Sequence, residues 1–124
     1  MPHFLAIDIG NTRIHLGLVR DGAVTDTADA PTAEAAMLER NAPDFLRRAR
    51  SAVPREAAFV SARPSAENLV RGVIRRVLGI STLKLGADRP IPVENRTDHP
   101  VQVGTDRLVN ALAARARTGG ACVV

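Results

Sequence analysis

Two short apolar runs, residues 4–8 and 14–19, are separated by turn-forming residues in the stretch Asp8-Ile9-Gly10-Asn11-Thr12. Runs of this length around a turn read as a β-hairpin. Asp21-Gly22 makes a second turn, and residues 23–28 supply a third antiparallel strand. Three strands thus precede any helix, so the sheet begins antiparallel and everything later must be added to it.

Helical periodicity starts after Pro31-Thr32, which offers a cap to a helix over residues 33–40, and Pro43 opens a second helical piece through residue 50. Residues 57–61 read as a buried strand. Pro64-Ser65 then leads into a helix over 66–78, with Leu69, Val70, Val73, Ile74 and Val77 on one face. Residues 81–85 form a further strand candidate, and the proline-containing stretch 90–100 reads as an exposed loop. Residues 105–118 carry an apolar stripe of Leu108, Val109, Leu112, Ala113 and Ala116, ended by Gly119-Gly120, and 121–124 begin another buried strand. The expected class is α/β, with leading antiparallel strands in a mixed sheet flanked by helices.

At 124 residues and 45% hydrophobic, the chain suffices for one domain with its own core. With Phe4, Phe45 and Phe59 the only aromatics, Val, Leu, Ile and Ala must fill that core. The single cysteine, Cys122, excludes a disulfide scaffold and a zinc cluster, and reads as a small buried hydrophobe. No apolar run approaches the ~20 residues a membrane-spanning helix needs, and the first residues lack a secretory pattern, so the expected location is cytoplasmic. The formal charge of +4 is nearly all arginine, since Lys84 is the lone lysine. Arg47, Arg48, Arg50 and Arg71, Arg75, Arg76 form two clusters. They read as solvated helix faces in preference to a nucleic-acid patch, because no aromatics lie between them for bases to stack on.

Two constellations can carry chemistry. In the first, Gly10 lets backbone approach a ligand closely, Asn11 and Thr12 offer donors to phosphate oxygens, and Asp8 is a carboxylate suited to magnesium through water. The same residues also make an ordinary hairpin turn, since Asx and Gly dominate turns for conformational reasons. In the second, Val103-Gly104-Thr105-Asp106-Arg107 opens a helix. Asp106 there could be a simple cap. Thr105 can do the capping instead, which leaves Asp106 as a general base kept ionised by the helix N-terminus, with Arg107 beside it for an anionic substrate. A phosphate cradle, a metal-binding carboxylate and a base together suggest phosphoryl transfer. His3, His15 and His99 are too scattered for a metal site.

The stretch from Ala6 to Thr12, taken with Pro100-Val-Gln-Val-Gly-Thr-Asp-Arg-Leu-Val-Asn-Ala111, resembles type III pantothenate kinase. The resemblance covers this whole chain but only the first half of such an enzyme. It implies an actin-like ATPase fold, a ribonuclease-H-like domain duplicated in one chain, of which residues 1–124 would be the first copy. It implies phosphorylation of pantothenate by ATP to 4'-phosphopantothenate, the first step towards coenzyme A, with magnesium and a monovalent cation, potassium or ammonium, in a homodimer. By position, Asp8, Ile9, Gly10, Asn11, Thr12, Arg13, Ile14 and His15 correspond to the first ATP phosphate loop, with Asp8 the magnesium-associated carboxylate. Gly104, Thr105, Asp106 and Arg107 correspond to the pantothenate segment, with Asp106 the proton acceptor.

Thr97 stands where the family usually has a substrate-contacting tyrosine, and Thr105 where it has alanine. The monovalent-cation aspartate and the second phosphate loop are expected beyond Val124, so this stretch alone is expected to be poorly active or inactive. Two rival readings share the fold: a non-catalytic regulatory or nucleic-acid-associated homologue, and a kinase for another small alcohol, which Thr97 keeps open.

Overall fold

The computed structural model describes residues 3–90 together with Arg96, Asp98 and His99. Strands β1 (Phe4–Ile9), β2 (Arg13–Arg20) and β3 (Ala23–Pro31) come first. A 3-10 segment (Thr32–Met37), a single turn α1 (Leu38–Asn41) and helix α2 (Pro43–Ala52) follow. The described chain then runs through β4 (Glu56–Ser61), α3 (Pro64–Leu78) and β5 (Thr82–Lys84). One five-stranded sheet results, in the order β3-β2-β1-β4-β5. β1 pairs antiparallel with β2 and parallel with β4, β2 pairs antiparallel with β3, and β5 adds to β4 in parallel. The expected mixed sheet with leading antiparallel strands is therefore present.

Strand alternation decides which side chains meet the helices. Leu5, Ile7 and Ile9 of β1 and Ile14, Leu16 and Leu18 of β2 are buried on one face, with Ala57 and Phe59 of β4. Against them pack Leu38, then Phe45, Leu46 and Ala49 of α2, and Val70, Val73 and Ile74 of α3. The three-and-four spacing along α3 keeps those last three on a single stripe. Two phenylalanines, Phe45 and Phe59, are the largest fully buried side chains, and aliphatic residues fill the rest, as the composition required. The opposite face holds a shallow, largely apolar hollow of about 440 Å³ bordered by Phe4, Ala6, Asp8, Gly17 and Val60.

Three expectations need correction. Residues 33–40 do not form one helix: the segment winds as 3-10 turns, with Glu34 at φ −111°, ψ 33°, before the single α1 turn. Thr32 does not cap it, because its hydroxyl and its N–H both bond to the β1–β2 loop. Leu69 is not on the buried stripe of α3. It is 47% exposed, one residue ahead of Val70 and thus about 100° round the helix. Pro43 does start α2, and β3 runs to Pro31, three residues past its expected end. The predicted helix over 105–118, the strand at 121–124, Cys122 and most of the 90–100 loop lie outside the described residues.

Candidate functional site

The turn between β1 and β2 is short: Ile9 still pairs with Ile14, leaving Gly10, Asn11 and Thr12 between the strands. Its closure depends on Gly10, whose N–H donates to Arg13 O at 2.9 Å. A Cβ at residue 10 would lie 2.9 Å from that same carbonyl oxygen, a contact backbone cannot relieve cheaply, so the turn needs glycine.

Distant residues hold the rest of the loop. Thr32, 2% exposed, donates from Oγ1 to Gly10 O at 2.9 Å and from its N–H to Thr12 O at 2.9 Å. Arg63 donates from Nη1 to Asn11 O at 2.9 Å, and the N–H of Ala62 donates to Ile9 O at 2.8 Å. Every carbonyl from Ile9 to Arg13 thus accepts a bond from the protein itself. With its acceptors tied down and the Gly10 N–H given to Arg13 O, the loop offers a ligand the N–H groups and side chains of Asn11 and Thr12, which is what an anion requires. Asn11 and Thr12 are both exposed.

Ile9 and Ile14 are fully buried, so they contribute backbone while their side chains anchor the loop's two ends in the core. Asp8 lies on the opposite face, exposed, at the end of β1. Register places it across from His15, and His15 across from Asp29, so a carboxylate, an imidazole and a second carboxylate share one row. Arg13 turns along the sheet to pair with Asp29 at 2.8 Å. That hydrogen bond holds the Asp29 carboxyl below its ordinary range, and the charges of Arg13 and His15 add to the effect.

Among the described residues, no group of three or more His, Cys, Asp or Glu is placed to hold a metal ion. A single carboxylate such as Asp8, beside a loop with donors suited to an anion, could hold magnesium through water. That ion keeps several waters and completes its shell with phosphate oxygens. The arginine clusters also resolve. Arg47 pairs with Asp44, Arg48 grips both oxygens of Asp26, Arg71 pairs with Asp88 and Arg76 with Glu39. These partners reduce the positive field of both clusters.

The sequence model of the type III pantothenate kinase family matches residues 4–124. The chain belongs to that family. It is 36% identical over 127 residues to the type III pantothenate kinase of Desulfovibrio desulfuricans, covering 92% of this chain and 45% of the relative. It is 35% identical over 123 residues to that of Nitratidesulfovibrio vulgaris strain DP4, covering 91% and 45%. This member of the pantothenate kinase family thus spans less than half the length of the curated relatives it matches. Among solved structures, the PilM-PilN type IV pilus biogenesis complex aligns with a TM-score of 0.50 at 13% identity, over 94% of this chain and 46% of that one. That likeness is one of fold, a mixed five-stranded sheet flanked by helices.

Of the residues singled out in the sequence, the structure brings together Asp8 to His15 at one end of the sheet. Thr97, Gly104, Thr105, Asp106 and Arg107 lie outside the described residues. Sequence reasoning missed Thr32 as a loop anchor and Arg63 altogether. The only available signal was a threonine with a second possible role as a cap, and an arginine just after a strand.

Proposed function

We propose that residues 1–124 are the N-terminal, ATP-side domain of an enzyme that transfers the γ-phosphoryl group of ATP to the primary hydroxyl of pantothenate, giving 4'-phosphopantothenate and ADP. The observation that carries this reading is the loop at Gly10–Thr12. Its carbonyls are all engaged internally, it sits beside the Asp8 carboxylate, and it belongs to a chain matched by the family over residues 4–124.

Phosphoryl transfer leaves the protein mostly positioning and charge stabilisation to perform. The Gly10–Thr12 loop binds the phosphate chain through the backbone N–H groups and side chains of Asn11 and Thr12, and Arg13, Ile14 and His15 complete this segment. Asp8 would hold magnesium through water, and the ion would neutralise charge on the phosphate oxygens. Asp106 accepts the proton of the pantothenate hydroxyl as its oxygen bonds to phosphorus and the bond to ADP breaks. Thr97, Gly104, Thr105 and Arg107 complete the pantothenate site. The coverage of about 45% of each relative supports placing a second phosphate loop and the monovalent-cation site, for potassium or ammonium, beyond Val124. We further propose a cytoplasmic homodimer. Among the described residues no helix is long and apolar enough to cross a membrane.

The test is a pantothenate phosphorylation assay on the full-length enzyme with a panel of other small alcohols. Pantothenate should be the preferred acceptor. Asp106→Asn should lower kcat by about 100-fold or more, within the range for removing a general base, with ATP affinity nearly unchanged. Wild-type turnover in that variant would remove Asp106 from the base role.

A further inference from the structure

Arg63 stands between the end of β4 and Pro64, the first residue of α3. Its backbone is extended, at φ −136° and ψ 90°, and its N–H donates to Ser61 Oγ at 3.1 Å, which fixes where the side chain departs. The half-buried side chain crosses to the β1–β2 hairpin and bonds the Asn11 carbonyl, 52 positions away in sequence.

The charge around it distinguishes this arginine from the one inside the loop motif. Arg13 is engaged with Asp29 at 2.8 Å. Among the described residues, no carboxylate pairs with Arg63. A guanidinium has five N–H donors in a rigid fork, and a neutral carbonyl neither exhausts them nor cancels the charge. Tying one arm of the fork to the loop backbone removes much of the rotamer freedom that an arginine must give up when it binds an anion.

We propose that Arg63 is a further phosphate-binding residue: it braces the Asn11 peptide and sets its remaining donors against the phosphate chain of the nucleoside triphosphate. The proposal rests on the loop being the nucleotide-phosphate site. It assigns the loop's free positive charge to a residue outside the motif, and it leaves Arg13 to the sheet.

The experiment is calorimetric titration of the full-length enzyme with magnesium-ATP, inorganic tripolyphosphate and adenosine, with the KM for ATP and for pantothenate measured in parallel. Arg63→Gln should weaken ATP and tripolyphosphate by about 10- to 100-fold, the range for losing a charge-assisted hydrogen bond, and leave adenosine binding unchanged. The KM for ATP should rise while that for pantothenate holds. Arg63→Lys, which keeps the charge but not the fork, should recover part of the loss.

Unchanged ATP affinity in Arg63→Gln would overturn the proposal. So would an equal loss for adenosine, or identical losses in the Lys and Gln variants, since each describes a brace and no phosphate contact. Should Arg63→Gln fail to fold, Arg63→Lys alone decides: a several-fold ATP loss with adenosine retained supports the proposal, and wild-type affinity refutes it. A folded wild-type enzyme that binds neither ATP nor tripolyphosphate would instead refute the nucleotide reading of the loop, and this inference with it.

Discussion

β2 is entered and left through turns of similar composition that are held in different ways. At one end Asp21 and Gly22 make a tight turn with both φ values positive, 53° and 76°, as the twist of a hairpin favours. A Cβ on Gly22 would meet nothing within 4 Å, and both residues are exposed. At the other end the carbonyls from Ile9 to Thr12 are fixed by Thr32, Ala62 and Arg63, from two other parts of the chain. The Asp21-Gly22 turn only reverses the strand, and its own φ values suffice for that. The other has its carbonyl groups aimed and locked, a constraint that strand reversal does not require. Rigid presentation of N–H groups is what an anion site does require, so the number of long-range bonds marks this turn, and not Asp21-Gly22, as the one suited to the proposed phosphate site.

The largest contrast should come from paired glycine variants. Gly10→Ala forces a Cβ onto Arg13 O and should cost about 1–3 kcal/mol of stability, the usual range for overpacking, with ATP affinity of the full-length enzyme lowered at least about tenfold. Gly22→Ala strains only its own backbone, at about 1 kcal/mol, and should leave ATP affinity intact. Denaturant melts and ATP titrations on both variants check this. Equal effects on ATP would break the comparison.

Removing a long-range bond is the next largest effect. Thr32→Val strips the hydroxyl from Gly10 O in a buried site and should cost about 1–3 kcal/mol while raising the KM for ATP, whereas Thr32→Ser keeps the donor and should restore that KM. The matching change beside the other turn, Thr25→Val, removes a bond to Leu18 O at 3.2 Å from an exposed side chain. It should alter stability by less than about 0.5 kcal/mol, with no effect on KM.

Acid sharpens the same division, because β3 carries one ion pair towards each end. Arg48 holds the Asp26 carboxyl below its ordinary value of 3.8, chiefly by hydrogen bonding, and Arg13 does the same for Asp29 beside the Gly10–Thr12 loop. A lowered folded-state pKa stabilises the protein fully above the unfolded value and ceases to do so as pH falls through the folded one. Stability should therefore decline below the ordinary aspartate range. Asp26→Asn should flatten that decline without changing ATP affinity, and denaturation midpoints measured against pH will test it.

The smallest effect lies at a third left-handed position, at the end of α2. Val53 ends α2 at φ 53°, a β-branched residue 74% exposed in a conformation that disfavours it. Val53→Gly should raise stability by on the order of 0.5 kcal/mol, after the entropy of the more flexible unfolded chain is subtracted, and ATP binding should not respond.

Much of this architecture can be read directly in local patterns. Short apolar runs mark β1 and β2, Asp21-Gly22 marks the turn that follows them, and Pro43 marks a helix start that the structure bears out, while α3 begins at Pro64, two residues ahead of its expected start. The proposed phosphate loop is legible because its chemistry sits in five consecutive residues. Thr32 was legible only as a cap, its commonest role after a proline. Periodicity favoured Leu69 as a core residue, yet α3 packs with Val70, Val73 and Ile74 inward and leaves Leu69 outside.

By itself, then, the sequence determined the three leading strands and the order β4, α3 and β5 after α2, the aliphatic character of the core and the position of the loop. All of these follow from steric preference and hydrophobic pattern over a few residues. Tertiary structure alone decided that Thr32 and Arg63 hold the loop, across 22 and 52 positions of chain, and that Arg13 turns away to Asp29. Hydrogen bonds of that span leave no periodic trace, because a donor's partner is chosen by the path of the intervening chain and not by its neighbours.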